Sequence, residues 1–376
     1  MNDGENFSSD TLGDGGKGPV AEAVGETEPA VTFTEDLWLD RLARKIGFGW
    51  ISEQLPGEIP PSYVYAVVLI LAVEISLQGR SYLLTGSAHV LENPFFILQP
   101  IGLLYAVYGS RALRKRYHKV MWEMNISERA TDPERLIHIV PNWLPWGMFV
   151  ATVGVTYVRV LSLGGPLAVY QDYGLSGFLG FTVANPIWLS IAAQFLAVYL
   201  SVVLLAPWRL WKSDVGIHFL DPERLGGLRP LGELIKHAYY YLVAGLIAVA
   251  LIVYEPVLSD PTVEVTAATN LFFTLAWVGT IATIAFGVFV LHRFMHREKR
   301  RELKRLEEVR QQHSDNPWDI ARYAVSQDNQ GIIEEVQQRM EIVSGTREYP
   351  ATFSIWSQLL LSIVLPKAVQ VFVASI

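Results

Sequence analysis

The chain has 376 residues, of which 51% are hydrophobic and 18% charged, with a net charge of −7 and no cysteine. It is more apolar than an ordinary soluble domain. The missing thiols exclude disulfides, cysteine-ligated zinc, iron–sulfur clusters and thiol catalysis.

Residues 1–35 are acidic, Gly-rich and almost free of aromatics, and such a stretch buries too little apolar surface to offset its ordering entropy. A disordered acidic tail is expected there. It has neither the basic start nor the apolar core of a signal peptide. With Arg far outnumbering Lys, the acidic tail points to a halophilic source.

Residues 36–60 read as an amphipathic helix lying in a membrane interface. Leu37, Leu39, Leu42, Ile46 and Phe48 fall opposite Asp40, Arg41, Arg44 and Lys45. A soluble helix packed on neighbouring loops is the alternative.

A spanning helix needs ~20 mainly apolar residues, and residues 61–292 contain about six such segments. They are Tyr63–Leu77, Pro94–Tyr108, Trp143–Leu163, Pro186–Ala206, Tyr239–Leu258 and Ala267–Leu291. Basic residues mark alternate loops. Arg111, Arg114, Lys115, Arg116 and Lys119 follow the second segment. Arg209, Lys212, Arg224, Arg229 and Lys236 follow the fourth, and seven more, from Arg293 to Arg305, follow the sixth. Cytoplasmic loops carry the excess of Lys and Arg, so the N-terminus is expected inside a plasma membrane. Tyr63, Tyr65, Trp143, Trp146, Trp208, Trp211 and Tyr239–Tyr241 fall at the same ends, where amphipathic rings favour the headgroup level.

The stretch Gly164–Ala184 lacks Lys and Arg and is too apolar for an exposed loop. It reads either as a short re-entrant helix or as an early start to the fourth span. Beyond the sixth segment, residues 293–349 are expected to form a cytoplasmic helical hairpin. Its first arm continues the sixth span, making one helix of 46 residues from Ala267 to Gln312, or about 70 Å. Its second arm is predicted at Trp318–Val343, with Ile320, Ala324, Ile332, Val336, Met340 and Val343 on its apolar face and Gly331 weakening its middle. Residues 350–376 read as a C-terminal amphipathic or re-entrant helix associated with the membrane. The fold class is therefore all-α: a polytopic transmembrane bundle with a cytoplasmic hairpin.

The string Asp-Pro-Glu-Arg-Leu occurs twice, at Asp132–Leu136 and Asp221–Leu225, each between a basic cluster and the next span. The second and fourth segments also both open with Asn-Pro, at Asn93 and Asn185. A duplicated two-helix unit explains these echoes, as does convergent capping, because Asp before Pro with Glu in the first turn is a common helix start. The second copy runs on into Gly226-Gly227-Leu228. This loop resembles the Asp-Pro-x-x-x-Gly-Gly-Leu inner loop of uncharacterised multi-pass prokaryotic, including haloarchaeal, membrane proteins. The resemblance implies a shared turn built on Asp221, Pro222, Gly226 and Gly227.

Ionisable groups within spans are costly and mark candidate sites. Glu74 in the first span and Arg159 in the third lie at similar depth, as either a packing ion pair or an ion site. Gln99, Gln194 and Asn270 are candidate pore or packing polar residues. Gln99 adjoins Pro100-Ile101-Gly102, the one expected break in a span. His292 and His296 share a helical face that suits a metal or, better, lipid headgroups, so no metal site is assigned.

No catalytic motif is present, and neither enzyme activity nor a cofactor is expected. Nucleic acid is not an expected partner, because the positive-inside pattern already accounts for the basic clusters. The expected partners are the bilayer, anionic lipid at the basic face, further copies of the chain and a cytoplasmic protein. Two functions follow from these readings: a channel or transporter-like protein, or a membrane scaffold or sensor acting through its hairpin.

Overall fold

A computed structural model describes residues 37–57, 59–86, 97–162, 164–254, 267–319 and 321–349. The acidic tail, Asn93-Pro94, Ile320 and the stretch 350–376 lie outside these residues. Among those described the chain is helical, apart from one isolated bridge between Asp315 and Ala324.

Among the described residues, five helices are long and apolar enough to cross a membrane: Pro61–Leu84, Trp143–Ser162, Thr182–Lys212, Arg229–Leu251 and Phe273–Gln312. They are compatible with a membrane protein. The second predicted segment forms helix Leu98–Glu123 but is not one of the five. Its second half carries Arg111, Arg114, Lys115, Arg116 and Lys119, and the residues before Ile97 lie outside those described.

Residues 36–60 do not make one helix. Helices α1 (Trp38–Ile46) and α2 (Phe48–Gln54) meet at Gly47, whose φ of 106° closes α1. Of the predicted polar face, Arg41, Arg44 and Lys45 point outward, but Asp40 is buried together with Leu37, Trp38, Leu39 and Ala43, while Ile46 of the apolar face is exposed. Helix α3 (Pro61–Thr85) starts on a proline and ends at Gly86. Helix α4 (Leu98–Glu123) runs unbroken through Pro100-Ile101-Gly102. Pro100 sits in the first turn, where its missing N–H costs nothing, so the expected break is a helix start.

Two short helices follow, α5 (Ile126–Arg129) and α6 (Pro133–Ile137). Next come α7 (Trp143–Ser162) and α8 (Pro166–Leu179), the latter broken at Gly174. From Leu175 the chain stays helical to Lys212, through α9 (Asn185–Leu200) and α10 (Ala206–Lys212). Within Gly164–Ala184 a short helix thus precedes Gly174, and the helix of the fourth predicted segment starts before Pro186.

Asn185-Pro186 does not open that helix. It lies within it, after the π turn Gly180–Ala184, and Pro207 follows a second π turn at Ser201–Leu205. A proline inside a helix lacks an N–H and clashes with the carbonyl four residues back. A widened turn just before each proline relieves both problems.

Helix α9 lies in the most buried of the five candidate spans, Thr182–Lys212, whose apolar part is 67% buried against 18–39% for the other four. It packs between α7 and α4, and α4 in turn packs on α11 (Arg229–Tyr254). The Ser201–Leu205 turn and α10 lie against α12 (Ala267–Gln312), the full 46-residue helix expected from sequence. Contact there is close: a Cβ on Gly287 of α12 would collide with the Val203 carbonyl oxygen.

Helix α13 (Gln330–Gly345) returns against α12, but it starts at Gln330 rather than Trp318. Residues 314–319 and 321–326 lie outside any α-helix, with Asp315 and Ala324 paired through their backbones and Trp318 84% exposed. Gly331 is therefore at the start of the arm. Val336 and Val343 pack on Leu306, with Met340, Leu303 and Val309 around them. Ile332, predicted on this face, is exposed.

The aromatic residues expected at the headgroup level divide. Trp143 and Trp146 are exposed, whereas Tyr65 and Tyr239 are buried in the bundle.

Candidate functional site

The basic ends of α4, α10 and α12 gather at one end of the bundle, and the polar chemistry of the described residues is concentrated there. Arg209 donates to the carbonyls of Arg135 (2.8 Å) and His138 (2.6 Å). Arg129 donates to the carbonyls of Met124 (3.0 Å) and Gly216. The Thr131 hydroxyl and amide both donate to Asp214 and hold its carboxyl below the usual range.

The first node is Asp40. One carboxylate oxygen accepts from the Ser62 amide (3.1 Å), the other from the Leu37 amide (3.1 Å), and Arg111 Nη2 lies 2.5 Å from each. The Arg111 guanidinium also donates to Ser62 Oγ (3.2 Å) and lies 5.8 Å from the centre of the Tyr63 ring. Asp40 thus caps its own helix, fixes the first turn of α3 and neutralises a cation on α4. Beside it, Gln194 of α9 accepts from the Leu39 amide (3.2 Å). Tyr65 and Ser190 share a hydrogen bond at 3.1 Å. The Nε2 of Gln194 and the indole nitrogen of Trp38 are buried without partners among the described residues. A buried carboxylate with this many donors is a tie between elements, since the donors compensate the loss of water.

The second node is Glu348, just past α13. Its Oε2 lies 2.9 Å from His296 Nδ1, its backbone oxygen 3.0 Å from His292 Nδ1, and its Oε1 3.7 Å from Lys299 Nζ. Lys299 also donates to the carbonyls of Ser344 and Thr346 (2.8 Å each), which closes the C-terminal end of α13. The His292 ring stacks on Tyr349 at 4.3 Å. Burial pushes the Glu348 carboxyl up, but the His296 hydrogen bond and the charges of His296, Lys299 and His292 outweigh it. The group is held below its ordinary value.

The loop Ser213–Leu228 adjoins the second node. Asp221 accepts from the amides of Glu223 (3.1 Å), Leu225 (3.1 Å) and Gly227 (2.9 Å). The Arg224 carbonyl accepts from the Arg347 amide (2.8 Å). Gly226 has φ 67°, and a Cβ there would meet Ile217 at 2.6 Å. Asp221, Pro222, Gly226 and Gly227 therefore build one tight turn, not a helix start. The matching string at Asp132 does start a helix, α6, with Asp132 accepting from the Arg135 amide. Generic capping accounts for the first copy alone.

Of the intramembrane candidates, Gln194 enters the Asp40 node. Gln99 is half-buried in the first turn of α4, and Asn270 is exposed in the first turn of α12. Glu74 and Arg159 sit on α3 and α7, and their side chains lie outside those described. Sequence reasoning missed Asp40, Arg111 and Glu348 as site residues. His292 and His296 both direct Nδ1 at Glu348, and among the described residues no group of three or more His, Asp or Glu is placed to hold a metal.

The chain matches no family model, no curated protein and no solved structure.

Proposed function

We propose that this chain is a multi-pass plasma-membrane protein with its basic end in the cytoplasm, acting as a scaffold or sensor through the α12–α13 pair. The observation that carries this reading is the continuity of α12. A single helix passes from an apolar stretch into a basic arm, and α13 is fastened back onto that arm through Lys299 and Glu348. Binding energy or strain at the arm is thereby coupled to the bundle. Arg293, Arg300 and Arg301 are exposed on the same arm. Basic groups close to an anionic leaflet gain about 1 kcal/mol each, which suits Arg293 best. Tyr349, stacked on His292, brings the chain back beside the apolar part of α12.

The natural absence of cysteine gives a direct test of sidedness. Single substitutions Ser326→Cys and Asp172→Cys should label with an impermeant maleimide from the cytoplasmic and outer faces respectively. For function, photo-crosslinkers at Trp318 and Arg301 in native membranes should trap one cytoplasmic partner, and deletion of residues 297–343 should abolish co-purification of that partner without loss of membrane insertion. Equal crosslinking from lipid-facing Val150 and Leu161 would overturn the reading.

A second reading, a channel or transporter-like protein formed by several copies of the chain, draws on α9. This most buried helix is flanked by two π turns, which recur at functional sites, and it carries the unpartnered Gln194 Nε2. Ion flux in liposomes containing the purified protein, lost on Gln194→Leu, is its test.

A further inference from the structure

The basic arm of α12 and the returning α13 turn faces of opposite charge outward. From Arg293 to Arg305 every exposed residue is a cation: Arg293, Arg297, Arg300, Arg301, Lys304 and Arg305. Four of them, Arg293, Arg297, Arg300 and Lys304, recur at i, i+4, i+7 and i+11 and so form one stripe. Phe286 and Phe289, both exposed, continue that stripe into the apolar part of α12. The seam toward α13 uses Leu303, Leu306 and Val309 instead. On α13 the seam is Val336, Met340 and Val343, and the side turned away from it carries Glu334, Gln338 and Glu341, all exposed. Local pairs engage some of these charges: Glu335 with Arg339, Arg297 with Glu298, Lys304 with Glu308 and Arg305 with Glu302. Arg300, Arg301, Glu334 and Glu341 have no ion pair among the described residues.

We propose that these two faces join neighbouring copies of the chain, the acidic side of one α13 lying on the basic side of the next copy's α12. The proposal rests on the membrane reading above, which gives every copy the same orientation and depth. Copies related by rotation about the membrane normal must meet level for level, and the register within one chain sets the levels. Lys299 binds the carbonyls of Ser344 and Thr346, and Leu306 packs on Val336 and Val343. Glu341 is therefore level with Lys304 and about one helical turn from Arg300 and Arg301, within reach of their long side chains. Joining unlike faces is a head-to-tail contact, which closes into a ring or runs on as a row. A two-fold pairing of the basic faces would instead set cation against cation. Each exposed pair is weak by itself. The contact therefore draws on several pairs at once and on the confinement of the copies to one plane, with the charges fixing its register.

Because the chain has no cysteine, crosslinking reads the contact directly. Gln338→Cys and Glu308→Cys lie level on the two faces and leave every cation, Glu334 and Glu341 in place. Full-length chains carrying one or the other, with different tags, are co-expressed and treated in membranes with a short bismaleimide. Crosslinks should join unlike tags, with little product from either variant alone. Adding Glu334→Lys and Glu341→Lys to the Gln338→Cys chain should cut that product about ten-fold, since like charges would then be pressed together. Adding Arg301→Glu and Lys304→Glu to the other chain should restore it. No unlike-tag product, equal product from like positions, or a product indifferent to charge reversal would overturn the contact. Maleimide labelling of Ser326→Cys and Asp172→Cys reports orientation without any neighbour, so that failure and a failure of the membrane reading are told apart. Trp318 belongs to neither face and keeps its own partner test, whereas a crosslinker at Arg301 would also trap a second copy, recognised by its mass.

Discussion

Two carboxylates fasten returning segments to the basic end of this bundle, and they do so in opposite environments. Asp40 is 1% exposed and satisfied by two backbone amides and a guanidinium from another helix. Glu348 keeps about a third of its side chain in contact with solvent and faces two histidines and a lysine. Burial makes the first node a fixed part of the core, because nothing but its partners can neutralise it. Exposure makes the second weak and adjustable, since water and salt compete for the same charges. The contrast predicts which residues hold the molecule up and which let it respond.

The sharpest way to break the comparison is to remove one half of each pair. Asp40→Ala leaves Arg111 without its counter-charge and should cost about 3–5 kcal/mol, seen as a collapse of the heated, detergent-solubilised protein on size exclusion. Replacing both partners with apolar residues (Asp40→Leu with Arg111→Met) should recover much of that loss. A double variant no better than the single one would mean that Arg111 is not compensated by Asp40.

A middle case comes from the repeated string. Asp221→Ala strips three amides of their acceptor and should cost about 1–3 kcal/mol. Asp132→Ala removes one long cap bond and should cost about 1 kcal/mol or less. Comparable losses in thermal stability from both would show that the two copies do the same work.

The smallest effect belongs to Glu348→Gln, at under about 1 kcal/mol near neutral pH. Because the folded state holds this carboxyl below its ordinary value, its stabilisation is full above that value, near 4.5. It fades as pH falls through the lowered one. The wild-type and Glu348→Gln melting curves should therefore converge in acid; a gap that widens there would refute the assignment.

Sequence displayed what depends on local runs of residues. The bounds of α12 were legible because an apolar run and a basic arm share one helical register with no proline between Ala267 and Gln312. The Asp40 node was not, because its partner Arg111 is 71 residues away and a helical wheel groups Asp40 with Arg41 and Arg44. The one clue was Ala43, a small residue three positions on, which marks the side of α1 that packs closely. The start of α13 was misplaced for a related reason. Asn316-Pro317 looks like a helix start, but Asp315 pairs with Ala324 across the loop and delays the helix to Gln330. Likewise Asp-Pro-Glu-Arg-Leu has no fixed shape: two glycines after the second copy allow a reversal that Ile137-His138 do not.

The unbroken α12 also has a mechanical meaning. Its arm from Leu291 to Gln312 extends about 30 Å at 1.5 Å per residue, and a stiff rod amplifies at its tip what happens at its base. A change of about 10° in helix tilt, the kind of adjustment by which spanning helices meet a thicker or thinner bilayer, would swing Trp318 sideways by roughly 5 Å. In the proposed membrane setting, such a rod would turn a change in bilayer thickness into a lateral displacement of its tip.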